Sequence, residues 1–366
     1  MTAREFRFLP PRGPRRARRG CRSPWYYGVA VLTVALALAP PAFAGENELP
    51  EGEDRRPVVE TPWFVFYSDF DFNLYDAVLT SATAQRRERP DPLHGECFSG
   101  LVQEERSAWD AAVGYYAETV AATGDFSQER WLIRTRLAGF EPDLDDDARR
   151  DLALALLFLR AAAPAYRACR WVEQDEANRR WIAELAGRLE RHAEAIRQRL
   201  ETFYRGGWRS LPITVDVVGT AGWAGADTIA DRRAPTHIQI TSSAASYQGA
   251  AALEMIFHEA SHEIVGPFNG PVAELLRGAA DEAGVEVARN LWHGLLFVTA
   301  GEVTRAVLEA AGETGYQPFA EAHEVFKGSW KPLHEPLRTH WLPFVRGETG
   351  REEAARALVR AAAPQS

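Results

Sequence analysis

The chain of 366 residues contains little lysine and no excess of positive charge. Lysine occurs only at Lys327 and Lys331, so arginine supplies 40 of the 42 basic side chains, and the formal net charge is −9. Electrostatic binding of nucleic acid depends on a positive surface, and we therefore expect no nucleic-acid partner. With 46% hydrophobic and 25% charged residues, the composition also excludes disordered, collagenous and coiled-coil chains. The length is enough for one large or two medium domains.

Cysteine is scarce as well, with only Cys21, Cys97 and Cys169. None of them lies in a spacing that indicates a cysteine metal site or a cysteine nucleophile. Cys21 belongs to a segment that we expect to be removed. The remaining pair fits either one disulfide in an oxidising compartment or two buried thiols.

The first 44 residues differ from the rest of the chain in charge. They contain eight arginines and one acid, a local charge of +7, which leaves −16 on the other 322 residues. An apolar run at 29–39 follows the arginines, and small residues follow Pro40-Pro41. This order is typical of a signal peptide cleaved after Ala44, and it predicts a periplasmic or secreted protein. An uncleaved membrane anchor is the alternative, since 25–44 is just long enough to span.

The pattern along the body predicts an α+β fold dominated by helix. Residues 45–60 are acidic and lack apolar periodicity, so we expect a flexible leader. Strands are predicted at 63–67, 211–219 and 236–242, with a glycine-rich loop between the last two. Helices are predicted over 101–203 and 249–311. We divide the body into an N-terminal strand plus helical region at 61–205 and a second region at 206–366.

A motif in the second region carries chemistry. Residues 258–262 read His-Glu-x-x-His, and apolar residues on both sides indicate a buried helix. Two histidines four residues apart lie on one face of a helix, so both imidazoles can bind one metal ion. Glu259 lies beside them and can act as the general base for a metal-activated water. The motif therefore predicts one catalytic Zn²⁺ bound by His258 and His262.

This motif resembles that of the zincin metallopeptidases, and specifically of the gluzincins, in which a glutamate on a later helix is the third zinc ligand. The resemblance covers about residues 211–312. It implies a zincin-like catalytic core with a small mixed or antiparallel sheet. It also implies that 236–242 is the edge strand beside the active-site helix, where an extended peptide substrate pairs.

Three residues are candidates for the third ligand. Glu302 follows a glycine on a predicted helix over 291–311 and resembles the Gly-Glu ligand of some gluzincins, so it is the preferred residue. His293 lies nine residues earlier on the same helix, half a turn out of phase, so an unbroken helix cannot direct both side chains to one ion. Glu282 lies 20 residues after His262, the shortest gluzincin spacing. Partners for the ligating imidazoles are sought among Asp281, Glu282 and Glu286.

These residues predict an exported zinc metallopeptidase that hydrolyses peptide bonds of a peptide or protein substrate. A hydrogen-bond donor for the oxyanion is expected downstream, and the sequence does not choose between its four candidates, Tyr316, His323, His334 and His340. The alternative is a non-catalytic exported envelope protein with a structural or vestigial zinc site and a helical binding region. The charged Glu263, at a position where the zincin pattern has an uncharged residue, favours this alternative. A hydrolase acting on a non-peptide bond is the third possibility.

Overall fold

A five-stranded mixed sheet forms the centre of the computed structural model, which describes residues 55–123, 127–220, 225–229, 235–268 and 270–364. The predicted signal peptide and most of the predicted leader lie outside these residues. The strands are β1 (Val59–Glu60), β2 (Phe64–Tyr67), β3 (Ile213–Val218), β4 (Ala226–Ile229) and β5 (His237–Thr241).

The sheet has the strand order β1-β2-β3-β5-β4. β2, β3 and β5 are parallel, in a register that pairs Phe64 with Ile213 and Thr214 with His237. β1 and β4 run antiparallel to their neighbours at the two edges. The prediction of an α+β fold with a small sheet is therefore confirmed, and the sheet is mixed.

Helices cover both faces of the sheet. They are α1 (Phe70–Arg86), α2 (Glu96–Gly100), α3 (Gln103–Glu118), α4 (Gln128–Leu137), α5 (Asp146–Tyr166), α6 (Val172–Tyr204), α7 (Gly249–Ser261), α8 (Pro271–Ala283), α9 (Leu291–Ala310), α10 (Phe319–Ala322), α11 (Lys331–Pro336), α12 (Leu342–Val345) and α13 (Arg351–Ala362). α5 begins after Asp145, whose side chain caps the helix by accepting a hydrogen bond from the Ala148 amide.

Two hydrophobic cores hold these layers together. The first core joins the apolar face of the sheet, including Val215 and Ile238, to α6, α7 and α9. The second core lies among α1, α3, α4 and α5 and contains Trp109 and Tyr116. The described residues form one compact unit, because β2 from the N-terminal region pairs with β3 from the second region.

The opposite face of the sheet is polar and is covered by α1. Asp216 and Gln239 point to this face from β3 and β5 and are fully buried. Asp216 pairs with Arg55 and His237, and Gln239 donates a hydrogen bond to Asp76 of α1. Buried polar groups of this kind need partners, which explains why the residues pair with one another.

The fold begins earlier than the sequence predicts. We expected a flexible leader up to residue 60, but Val59 pairs with Phe66 in the sheet. Arg55 binds the buried Asp216 and lies 4.1 Å from the centroid of the Tyr67 ring. A buried carboxylate is stable only with a cationic partner, and Arg55 is such a partner for Asp216. The ion pair therefore holds the last residues of the predicted leader in the fold.

A second correction concerns the edge of the sheet. We expected 236–242 to be the edge strand and placed a loop before it. The corresponding strand, β5, instead lies between β3 and β4, and β4 forms the edge from within the predicted loop. β4 reads Ala-Asp-Thr-Ile and lacks the run of aromatic and β-branched residues that marks β2, which has the same length, so the sequence carries little signal for this strand.

The long helical run across α5 and α6 contains Pro164 but does not end there. A π-helical segment, Arg167–Trp171, follows the proline and joins the two helices. Cys169 in this segment forms a disulfide with Cys97 of α2. By length and composition the run qualifies as a candidate membrane span, as the core helix of a soluble protein also can. Its apolar residues Leu152, Leu156 and Leu159 are buried in the second core.

Candidate metal centre

Helix α7 places His258 and Glu259 of the predicted motif in the interior of the protein, while His262 is half-buried. It packs against α6 and α9 and contacts β4 with its C-terminal half. His258 is 1% exposed and Glu259 is 4% exposed. The helix ends at Ser261, but His262 keeps helical backbone angles (φ −61°, ψ −20°) as its C-cap. The four-residue spacing therefore still brings the two imidazoles together, with ring centroids 5.2 Å apart.

A third histidine joins this pair from helix α9. His293 lies in the first turn of α9, and its Nε2 atom is 3.2 Å from Nε2 of His258. The possible ligand nitrogens of His258, His262 and His293 all lie within 4.8 Å of one another. Two nitrogens bound to one tetrahedral zinc at about 2.0–2.1 Å are separated by about 3.3 Å. The closest pair thus has nearly the separation that a shared zinc ion requires.

Burial keeps all three imidazoles in the form that binds metal. It lowers the pKa of His262 to about 3 and that of His293 to about 4, and it lowers the pKa of His258 well below the ordinary value. The neighbouring histidines lower the values of His258 and His262 further. Neutral imidazole is the metal-binding form, so these shifts favour metal over protons near neutral pH.

Glu302 lies elsewhere, contrary to the prediction that made it the third ligand. Its carboxylate accepts hydrogen bonds from Nε of Arg305, at 2.9 Å, and from Nε of Arg346, at 2.8 Å. Helix α9 is unbroken between His293 and Glu302, so the nine-residue separation directs the two side chains to different sides. The geometry thus places His293, and not the predicted Glu302, beside the two histidines of the motif.

The other acidic candidates lie at the surface of the protein. Asp281, Glu282 and Glu286 are exposed, and Oε2 of Glu282 is 4.0 Å from Nη1 of Arg356. Nδ1 of His258 is buried without a hydrogen-bond partner among the described residues. The expectation that one of these acids would orient a ligating imidazole therefore has no support in the geometry.

Glu259 is held by the edge strand. The hydroxyl of Thr228 in β4 lies 2.6 Å from Oε2 of Glu259 and 3.0 Å from its carbonyl oxygen. Burial raises the pKa of Glu259 to about 8, against the lowering effect of this hydrogen bond. A nearby cation lowers the pKa of a carboxyl group, so a bound metal would favour the ionised form that can act as a base.

Aromatic side chains surround the histidines on the side of α9. The ring centroids of Phe297 and His258 lie 4.0 Å apart. Trp292 stacks on His293, with ring centroids 4.9 Å apart. The ring centroids of Trp330 and His293 lie 5.1 Å apart. Both Trp330 and Trp292 are half-buried. These rings limit the access of water to the ligands and strengthen electrostatic interactions within the site.

A buried glutamate one turn before His258 was missed in the sequence. Glu254 is fully buried, and its Oε2 accepts hydrogen bonds from the Tyr316 hydroxyl at 2.7 Å and from the Phe319 amide at 2.9 Å. Burial raises its pKa to about 7 against the effect of these bonds. The sequence signal that could have identified Glu254 is its position among apolar residues of the helix, four residues before His258.

The candidates for the oxyanion donor have other partners or lie near the surface. Tyr316 donates to Glu254, His323 packs on Phe319, and the ring of His334 stacks on Phe326. His340 is half-buried on the π-helical segment Leu337–Trp341. No geometry among the described residues selects one of them as the donor.

The unusual Glu263 is buried directly after the second histidine. Its side chain is 0% exposed and Oε1 lies 3.6 Å from Nε of Arg209. Neither carboxylate oxygen has a hydrogen-bond partner among the described residues. The charged residue at this position is therefore accommodated by an ion pair rather than by solvent.

Comparisons of the chain with protein-family models, with curated proteins and with solved structures find no match. The functional interpretation therefore depends on the geometry of the site itself.

Proposed function

We propose that the protein is a zinc-dependent hydrolase that cleaves peptide bonds, with His258, His262 and His293 as metal ligands and Glu259 as general base. The observation that carries this proposal is the convergence of three histidines from two helices, whose possible ligand nitrogens lie within 4.8 Å of one another and next to the buried Glu259. The proposed core is zincin-like, with a three-histidine ligand set in place of the glutamate ligand of gluzincins.

The donor set suits zinc. Three protein ligands, with a fourth position left for water or substrate, are the usual arrangement of catalytic zinc sites, and three histidines are one such set, whereas structural sites take four protein ligands. Among the described residues, these histidines are the group with metal-binding geometry. This favours a catalytic role over a structural one.

The chain's own residues supply the rest of the chemistry. A zinc ion at such a site lowers the pKa of water and polarises a carbonyl group. Glu259 accepts the proton that the attacking water loses and transfers it to the leaving amine. The aromatic rings of Trp292 and Phe297 cover the ligands and restrict bulk water.

The edge strand favours a peptide as substrate. β4 ends the sheet beside α7, and its outer edge has no strand neighbour among the described residues. An extended peptide can add to such an edge through backbone hydrogen bonds, which recognise a peptide with little choice of sequence. Thr228, in the same strand, contacts Glu259, so a peptide paired here would lie near the general base.

An oxidising compartment agrees with this proposal. The disulfide between Cys97 and Cys169 is of the kind that persists outside the cytoplasm. The basic and apolar first 44 residues favour export, to the periplasm or the medium, for the same protein.

The test combines metal analysis with hydrolysis. The protein without its predicted signal peptide, residues 45–366, is purified. Its zinc content is measured by atomic absorption, and its activity is assayed on casein and on a peptide library. We expect one zinc per chain and hydrolysis that stops on chelation. The Glu259→Gln variant should keep its zinc and lose activity by about 1,000-fold or more, as expected when a catalytic group at the reacting atoms is removed.

Each other outcome has a defined meaning. If Glu259→Gln cleaves peptides as fast as the wild type, Glu259 is not the base and the proposal fails. If the wild type binds one zinc but cleaves no peptide, and unfolds on chelation, the structural alternative replaces it. Cleavage of esters but not peptides would keep the metal chemistry and change the substrate class.

A further inference from the structure

The hydroxyl of Thr228 joins the edge strand to the general base. Thr228 lies within β4, paired with Ile238 of β5, and its Oγ1 atom is 2.6 Å from Oε2 of Glu259. Among the described residues, no other side chain forms a hydrogen bond with this carboxylate. Within the part of the chain that the structure describes, the orientation of Glu259 therefore depends on one hydroxyl from a different element.

That hydroxyl has two acceptors on the same residue. Its oxygen is also 3.0 Å from the carbonyl oxygen of Glu259, and one hydroxyl group donates one proton. The carboxylate oxygen is both the nearer acceptor and, when ionised, the stronger one. The bond to Oε2 therefore dominates and leaves Oε1 for the reacting water.

The strand that carries Thr228 is fixed from its other face. Asp227 points away from α7 and forms an ion pair with Arg134 of α4. Arg134 is buried, with 8% of its surface exposed. The chain before the strand is held as well, because the Thr241 amide donates to the Gly225 carbonyl at 2.8 Å. The Thr228 hydroxyl thus has a defined position from which to hold Glu259.

We propose that Thr228 is a positioning residue that holds Oε2 of Glu259 and so fixes the carboxylate in the orientation that accepts a proton. This inference rests on the proposed function. Because Thr228 belongs to the strand expected to pair with substrate, it also joins substrate binding and the general base in one element. Thr228 acts through Glu259 and does not itself touch the reacting atoms.

The test uses two substitutions that differ in the hydroxyl. Thr228→Val has nearly the same shape and suits a strand, but it lacks the donor. Thr228→Ser keeps the donor. Thr214→Val in β3 is the matched control, since it makes the same change in the same sheet. kcat, KM and zinc content are measured for each variant on the best peptide substrate.

We expect Thr228→Val to lower kcat by about 10- to 100-fold, the usual effect of removing a partner that orients a metal-site residue. KM should stay within about twofold and the zinc content at one per chain, because neither substrate binding nor the ligands change. Thr228→Ser should retain most of the wild-type kcat, and Thr214→Val all of it. A kcat of Thr228→Val equal to that of the wild type would overturn the inference. So would a serine variant as slow as the valine variant.

A structural measurement separates this inference from the proposed function. Crystal structures of zinc-loaded wild type and Thr228→Val should show the Glu259 side chain in one rotamer in the wild type and in a different or divided conformation in the variant. An inactive wild type would contradict the proposed function alone. An unmoved Glu259 in Thr228→Val would contradict the positioning role whether or not the protein is active.

Discussion

At the residue scale, the choice of the third ligand follows from the phase of one helix. His293 and Glu302 both lie on α9, about 13.5 Å apart along the axis and half a turn apart around it. Only one of them can reach the pair on α7. His293 lies 3.2 Å from His258, whereas Glu302 binds two arginines, so the two residues have separable roles.

Substituting each of these residues distinguishes the roles. His293→Ala should weaken zinc binding by more than about 100-fold, because even the loss of an outer partner of a ligand costs about 10- to 100-fold. Glu302→Ala should leave zinc affinity unchanged and lower the free energy of unfolding by about 1–2 kcal/mol, a modest loss since Arg305 and Arg346 are partly exposed. Competition with a chelator and urea unfolding measure the two effects. Loss of zinc affinity in Glu302→Ala would restore the glutamate as a ligand.

The buried carboxyl group of Glu254 makes the free energy of unfolding depend on pH. Its pKa is about 7 in the folded protein, above its ordinary value of 4.5, so its contribution to stability is fully present below pH 4.5 and is lost as the pH rises toward 7. The loss amounts to roughly 3 kcal/mol. The free energy of unfolding of Glu254→Gln, measured by urea unfolding, should therefore rise relative to that of the wild type as the pH increases from about 4.5 to about 7.5. A difference that does not change with pH would contradict the raised pKa.

At the element scale, the parts of the fold that the sequence predicts are those with a clear local pattern. β2, β3 and β5 fall within the predicted segments because β-branched and aromatic residues form them, and α9 lies within one residue of its predicted bounds. β4 could not be predicted, because it lacks such a run of residues and depends on its pairing with β5 and on the ion pair between Asp227 and Arg134. Such partners are distant in sequence and leave no local signal.

The candidate site divides in the same way. His258, Glu259 and His262 follow from the spacing within one helix, which local sequence determines. His293 and Thr228 reach the site through the packing of α9 and β4 against α7, which the sequence does not show. The motif therefore pointed to the proposed chemistry, while the structure was needed to find the proposed third ligand and the support of the proposed base.

The disulfide joins two elements of the second core, the short helix α2 and the π-helical segment before α6. It closes a separation of 72 residues, which corresponds to about 4 kcal/mol of chain entropy. Replacing both Cys97 and Cys169 with alanine should lower the free energy of unfolding by about 2–4 kcal/mol and leave zinc content and kcat unchanged. Urea unfolding under non-reducing conditions measures the loss. Equal stability of the variant and the wild type would contradict the expected contribution of the disulfide to stability.

At the scale of the whole molecule, the proposed metal site lies in a fold that has its own hydrophobic cores. The first core alone joins the sheet to α6, α7, α9 and α13, and the second core lies apart from the histidines. Small zinc domains lack such cores and unfold without metal. In this protein, burial of apolar side chains should maintain the fold when zinc is absent.

Removal of zinc should therefore lower Tm without abolishing cooperative unfolding. A ligand at 100 times its Kd stabilises the folded state by about 2.7 kcal/mol, and for a body of this size that is a shift of only a few degrees. Differential scanning calorimetry with and without a chelator measures the shift, and far-ultraviolet circular dichroism follows the helix content. His293→Ala, already deficient in zinc, is the control and should show no shift. Complete loss of helix on chelation would mean that the metal supports the fold, and the three histidines would then form a structural rather than a catalytic site.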